Sequence, residues 1–144
     1  MIQEIFDIID KENNHDILDL NERKIKEERE FILQKLTFHD KEFETMNEKL
    51  KDYRYIEDAN HLKHGNFIRW ISIKDDTRGK LTNGGVLCNI DIYEEEEKIL
   101  VMIKSIGRYG KPRFARFNLQ NCFVFQRLNY QEQILLKVID YVAS

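Results

Sequence analysis

The first sixty residues contain no glycine and no proline, and the whole chain has one proline, Pro112. Nothing in that opening stretch breaks a helix by backbone chemistry. Its wealth of Glu, Lys, Leu and Ile favours one, since all but Ile are strong helix formers. Only two cysteines occur, Cys88 and Cys122, both inside apolar, strand-like runs; they read as reduced buried thiols rather than a disulfide or a reactive pair. No early apolar run is long enough to span a bilayer or serve as a signal-peptide core, so an unprocessed soluble protein without a membrane partner is expected. Residues 98–127, KILVMIKSIGRYGKPRFARFNLQNCFVFQR, lack Asp and Glu altogether yet hold seven Lys or Arg, in a chain of net charge −3. There is no Walker phosphate loop, GxGxxG, nucleophile elbow, HExxH or CxxC, and Ser72, Ser105 and Ser144 stand in no nucleophile context. The expectation is a protein that is not an enzyme, with no cofactor, metal or small-molecule substrate.

Charge divides the chain. Residues 1–60 carry 10 basic and 17 acidic side chains, net −7; residues 61–144 carry 13 and 9, net +4. The 144 residues are enough for one ordinary domain or two small pieces. The asymmetry points to two, a helical or coiled-coil segment over 1–60 and a small β domain with a closing helix over 61–144.

MIQEIFDIID can make a short amphipathic helix, and Asn13, Asn14 or Asp16 can cap a second. A seven-residue rhythm follows. Leu18, Ile25, Ile32, His39, Met46 and Tyr53 form one row; Glu22, Arg29, Leu36, Phe43 and Leu50 form its companion four residues on. Such rows are the d and a positions of a coiled coil. They predict one helix of about 36 residues, roughly 54 Å long. Its better half, Ile32 to Tyr53, is broken only by His39, whereas Glu22 and Arg29 would need partners if buried. Phe31 and Phe38 lie off the seam and widen the apolar face. Self-association along Ile25, Ile32, Leu36, His39, Phe43, Met46, Leu50 and Tyr53 is one reading. An intramolecular hairpin, with residues 1–10 or the last helix on the stripe, is the other.

After Tyr55, β-branched residues and glycine become frequent. Strands are expected near 66–73, 81–93, 98–106, 112–118 and 121–127, with TNGG at 82–85 as a hairpin turn or bulge. Five sequential strands make an antiparallel meander, a small SH3-like barrel or a twisted sheet. Asn129 and Glu132 form a capping box for a last helix, apolar over more than half its circumference, which must be buried on the sheet or the long helix. The fold class is thus α+β.

Three features invite functional readings. His61 and His64, with Asp58 or Cys88, have the spacing of a partial metal site, but a helix end capped by Gly65 explains the same letters. Glu94–Glu97 joins two strands as a solvated turn, or as an acidic knob for the basic stretch of a neighbouring subunit. The basic stretch itself places Arg108, Tyr109, Lys111, Arg113 and Arg116 around a glycine-rich hairpin, beside Phe114 and Phe117. Alternation puts Arg113 and Arg116 on opposite faces of their strand. The loop can dock an acidic protein surface, or grip phosphates while Tyr109 stacks on a base. Arg69 beside Trp70 is a second cation–aromatic pair, with Trp70 read as core.

HGNFIRWI, KLTNGGVLCNI, NCFVFQRL and NYQEQILLKVIDYV resemble small proteins of nucleocytoplasmic large DNA viruses. In these a G-x-[FY]-I-R-[WY] segment, a Gly-Gly segment and a final I-F-x-[KR]-L strand precede a closing helix. The resemblance covers roughly residues 64–142, omits the N-terminal helix and transfers no catalytic residue. It implies a viral gene product of the host cytoplasm or the virion. The expected role is a structural or interaction protein that binds itself or another protein, with nucleic acid as the alternative partner.

Overall fold

Asn21 opens helix α1 (Glu22–Leu36), its Oδ1 accepting the Lys24 amide at 2.8 Å as an N-cap side chain does. The computed structural model describes residues 20–37, 39–73 and 79–143. The expected helix over 1–10, the caps at Asn13, Asn14 and Asp16, Leu18 of the seam and Phe38 lie outside the described residues.

The single rod expected over Leu18–Tyr53 is instead two helices followed by a strand. Thr37 is extended, at φ −113° and ψ 144°, and its hydroxyl donates to the Leu33 carbonyl at 2.9 Å, a local bond that competes with helix continuation. His39, also extended, precedes α2 (Asp40–Lys49). Residues Tyr53–Ile56, which begin at the rod's expected last residue, form strand β1.

The seam is therefore not one exposed stripe. Leu50 and Tyr53 are buried with Leu33, Ile71 and Phe125, and Ile32, Leu36, Phe43 and Met46 pack against that cluster. Ile25 joins the last helix, and His39 sits exposed at the break. Of the residues expected to form a self-association seam, Leu50 and Tyr53 are buried in the chain's own core and Ile25 against the last helix, while Ile32, Leu36, Phe43 and Met46 are half-buried and His39 is exposed. Arg29, the costly seam position, is buried and satisfied. Its guanidinium donates to Asn47 Oδ1 at 3.1 Å and to the carbonyls of Lys51 and Tyr53 at 3.1 and 3.2 Å. Burial lowers its pKa, while Glu30 and Asp52 push it back up.

Strands β2 (Phe67–Ser72), β3 (Gly85–Tyr93), β4 (Lys98–Ile106), β5 (Pro112–Asn118) and β6 (Cys122–Arg127) complete a six-stranded antiparallel open sheet ordered β1-β6-β2-β3-β4-β5. The count is six rather than five. β1, from the half assigned to helix, pairs with β6 from Tyr53↔Arg127 to Ile56↔Val124. Residues 81–84 lie outside the strand expected over 81–93. At Gly84, φ is +77° and a Cβ would sit 2.1 Å from the Ile68 carbonyl oxygen, so only glycine allows β2 and β3 to approach there. A register shift between Leu87 and Asn89 adds a bulge.

The sheet coils on itself. Trp70 of β2 stacks on Phe117 of β5 at 4.3 Å between ring centroids, although two strands separate them in the ladder. The enclosed core includes Ile56, Ile68, Leu87, Val101, Ile103, Leu119 and Val124. Only a three-residue turn, Leu119–Asn121, carries the chain from β5 to β6.

The closing helix α3 (Tyr130–Ala143) starts with the expected capping box. Glu132 N–H donates to Asn129 Oδ1 at 2.8 Å, and the Asn129 amide to Glu132 Oε1 at 3.0 Å. Leu135 and Leu136 pack with Ile25 and Leu128. Glu132 has no exposed surface and also accepts from Lys63 Nζ at 3.1 Å and Asn66 Nδ2 at 3.2 Å. Fully buried Gln126 accepts the Lys63 amide at 2.8 Å and donates to the His61 carbonyl at 3.1 Å. Among the described residues no helix is long and apolar enough to cross a membrane.

Glu132→Leu keeps much of the volume but removes the carboxylate that accepts from Lys63, Asn66 and the Asn129 amide. Removing one partner of a buried ion pair costs about 3–5 kcal/mol, and the lower end is expected because Lys63 retains some contact with water; urea denaturation measures it. A second expectation concerns alkaline pH. Burial pushes the phenols of Tyr53 and Tyr55 above their ordinary value, with Arg69 and Arg127 partly opposing this at Tyr53. A raised folded-state pKa contributes stability that is complete below about pH 10 and lost as pH climbs through the folded value. Tyr53→Phe and Tyr55→Phe should flatten the fall in urea midpoint between about pH 9 and pH 11.

Candidate functional site

β4 and β5 are joined by a short loop with a 3₁₀ turn at Arg108–Gly110, closed by the Gly107 N–H donating to the Lys111 carbonyl at 2.7 Å. Tyr109 adopts φ 65° and ψ 21°, a left-handed conformation that costs a non-glycine residue roughly 1 kcal/mol or more. Its ring is 97% exposed. The turn holds this aromatic out in water.

Pairing places the strand residues. Phe67↔Val86, Val86↔Lys104 and Lys104↔Phe114 form one row across β2 to β5. Side chains opposite each other in a ladder share a face, and Phe67 packs in the cluster beneath the helices. The helices therefore cover this face at β1, β6 and β2, while among the described residues no helix covers its continuation over β3 to β5. There Val86 is 40% exposed, Phe114 60% and Ile106 79%. Ile106 lies opposite Pro112, and Met102 opposite Arg116. The other face of β4 and β5 supplies Val101, Ile103, Ala115 and Phe117 to the core.

The sequence-named residues are thus divided. Arg108, Tyr109 and Lys111 occupy the loop. Arg116 stands on the outer face beside Phe114 and Lys104. Arg113 is directed to the opposite face, with its side chain across Gly107, where an added Cβ would lie 2.5 Å from Nε. Lys104, Val86, Ile106 and Phe114 are the larger part of the surface. The signal for them was alternation about the core residues Val101, Ile103 and Phe117, readable once the register is known. Among the described residues Lys104, Arg108, Lys111, Arg113 and Arg116 make no ion pair.

Elsewhere the sequence features serve the fold. Arg69 donates to the Thr82 carbonyl at 2.8 Å, and Trp70 belongs to the core. His61 ends a 3₁₀ turn, Ala59–His61, rather than an α-helix; His64 is exposed, and Gly65 has φ +88° in the turn that follows. Among the described residues no group of three or more His, Cys, Asp and Glu side chains could hold a metal. Cys88 and Cys122 are half-buried and form no disulfide.

Glu97, at φ 50°, is the other non-glycine residue with positive φ among those described. Glu97→Gly should raise stability by about 0.5–1 kcal/mol by relieving the left-handed conformation, read as a higher urea midpoint. No change or a loss would show that the turn is not strained.

Comparison of the chain with protein-family models, curated proteins and solved structures finds no match.

Proposed function

We propose that this is a non-catalytic interaction protein, of structural or assembly type, whose β4–β5 face binds an acidic, partly apolar surface of another protein. The observation that carries the reading is the row Val86–Lys104–Phe114, flanked by Ile106 and Arg116: large apolar side chains in water beside cations without ion-pair partners. Contiguous apolar surface rimmed by charge marks interaction sites, and an apolar centre within a polar rim is how interfaces are built. Coiled strands β2 to β6, with a 3₁₀ turn before the last and the last returning beside the first, fit a small SH3-like barrel carrying one added edge strand. The resemblance to proteins of large DNA viruses favours a viral gene product acting in the host cytoplasm or carried in the particle. Assembly through the heptad rows is no part of this reading, because Ile25, Ile32, Leu36, Phe43, Met46, Leu50 and Tyr53 all pack at least in part within the chain's own clusters.

Nucleic acid is the second reading, favoured by Tyr109 alone in solvent between Arg108 and Lys111, a geometry suited to stacking beside phosphates. Val86 and Ile106 weigh against it. Aliphatic side chains gain by hydrophobic burial and cannot stack on bases as a ring does.

Full-length chain immobilised in a eukaryotic cell extract should capture proteins that Phe114→Ser and Arg116→Glu each lose by about ten-fold or more, as for central interface positions. Arg23→Glu, on an exposed turn of α1, should retain them. The same proteins on all variants would remove the face from the interaction. For nucleic acid, anisotropy with a single strand of roughly 20 nucleotides should show log affinity falling with log salt by about 0.7 per phosphate neutralised. Absence of salt-dependent binding rejects that reading.

A further inference from the structure

We infer that the acidic partner of the β4–β5 face is the β3–β4 turn of a second copy of this chain, so that molecules associate head to tail. The inference rests on reading that face as a protein-binding surface and names its occupant.

β4 carries opposite charge at its two ends. It begins after Glu94–Glu97, four consecutive carboxylates in an exposed turn closed by the Glu97 N–H donating to the Glu94 carbonyl at 3.2 Å. It ends at the loop bearing Arg108 and Lys111. Nine residues of strand separate the two, about 31 Å at roughly 3.4 Å per residue. That is beyond a Debye length of about 10 Å at 0.1 M salt, so the ends cannot neutralise each other within one molecule. Among the described residues the four glutamates make no ion pair, and neither do the cations of the other tip.

Apolar content matches as well. Ile92 is 62% exposed and Tyr93 44% beside the acidic turn, complementing Ile106 and Phe114 beside the basic loop. Both tips also keep a non-glycine residue in the left-handed region, Glu97 and Tyr109, and these are the two such residues among those described. Four like charges in one turn repel, and a left-handed Glu or Tyr is less stable than glycine there. Neither choice helps the isolated fold, and each supplies contact chemistry at a tip.

Like tips repel, so a two-fold symmetric pairing of either end with itself is disfavoured. The complementary contact either closes as an antiparallel two-fold pair, each acidic tip on the other molecule's basic tip, or leaves one tip of each sign free and repeats. A contact between two small tips falls below the size of a stable interface and is expected to be weak, with Kd of about 10 µM to 1 mM.

Sedimentation velocity on full-length chain decides the matter. The wild type should move from monomer to larger species between about 10 µM and about 1 mM. Association should weaken about ten-fold or more from 0.1 M to 1 M salt, where the Debye length falls to about 3 Å. The variant Glu94→Lys with Glu95→Lys and Glu96→Lys, which turns the acidic tip net positive, and the variant Arg108→Glu with Lys111→Glu, should each stay monomeric. An equimolar mixture of the two should assemble again, because each reversed tip meets its complement; unfolding of either variant would not produce that rescue. A wild type monomeric throughout, association unaffected by either reversal, or no assembly in the mixture would each overturn the inference. If in any of these cases captured proteins are still lost with Phe114→Ser and Arg116→Glu, the face binds a foreign partner and only its occupant was misassigned. If capture is also unaffected, both readings fall.

Discussion

β6 is closed in from every side, and the rest of the molecule is arranged to make that tolerable. Val124, Phe125 and Gln126 have no exposed surface. Their successive side chains point to opposite faces of the sheet, so each face needs its own cover. Val124 enters the core inside the coiled sheet and Phe125 the cluster beneath the helices. Gln126 would be a buried polar defect without the Lys63 amide and His61 carbonyl that satisfy it. Both edges of the strand need partners too. β2 supplies one and β1 the other, which is why four residues at the end of an acidic helical stretch become extended.

That requirement explains what the helices do. α1 and α2 fold back so that Leu33 and Leu50 both reach Phe125, and Arg29 joins the helices to β1 by donating to Asn47 and to two backbone carbonyls. The helical half of the chain is consumed in covering the β1-β6-β2 half of one sheet face. No described helix covers the β3-β4-β5 half of that face, and its apolar and cationic side chains meet water. Surface for interaction is therefore allocated by which part of the sheet the helices can reach.

Several features were legible in advance because they depend on neighbouring residues. The Asn129–Glu132 capping box is a three-residue relation and forms as read. Strands β2 to β6 follow from β-branched residues and turn-forming glycines. The basic loop and the acidic turn are runs of letters, and the opposition of Arg113 and Arg116 follows from the two-residue repeat of a strand. The heptad rows were misleading for a physical reason: a stripe recurring every three or four residues is equally suited to a second helix or to a sheet, and nothing in Ile25, Leu36 or Leu50 distinguishes them. Thr37 and His39 marked the break, but neither residue compels one. YRYI is too short to announce a strand.

The chain's order of residues was sufficient for the α+β class, the closing helix with its cap, and the presence of two oppositely charged tips, since capping, alternation and local charge act over a few residues. Tertiary structure alone decided that β1 pairs with β6, that much of the helical stripe packs within the chain's own clusters, and that Val86, Lys104, Ile106 and Phe114 are left in water. Those outcomes depend on which distant segments compete for the same buried surface, and no local pattern records the winner.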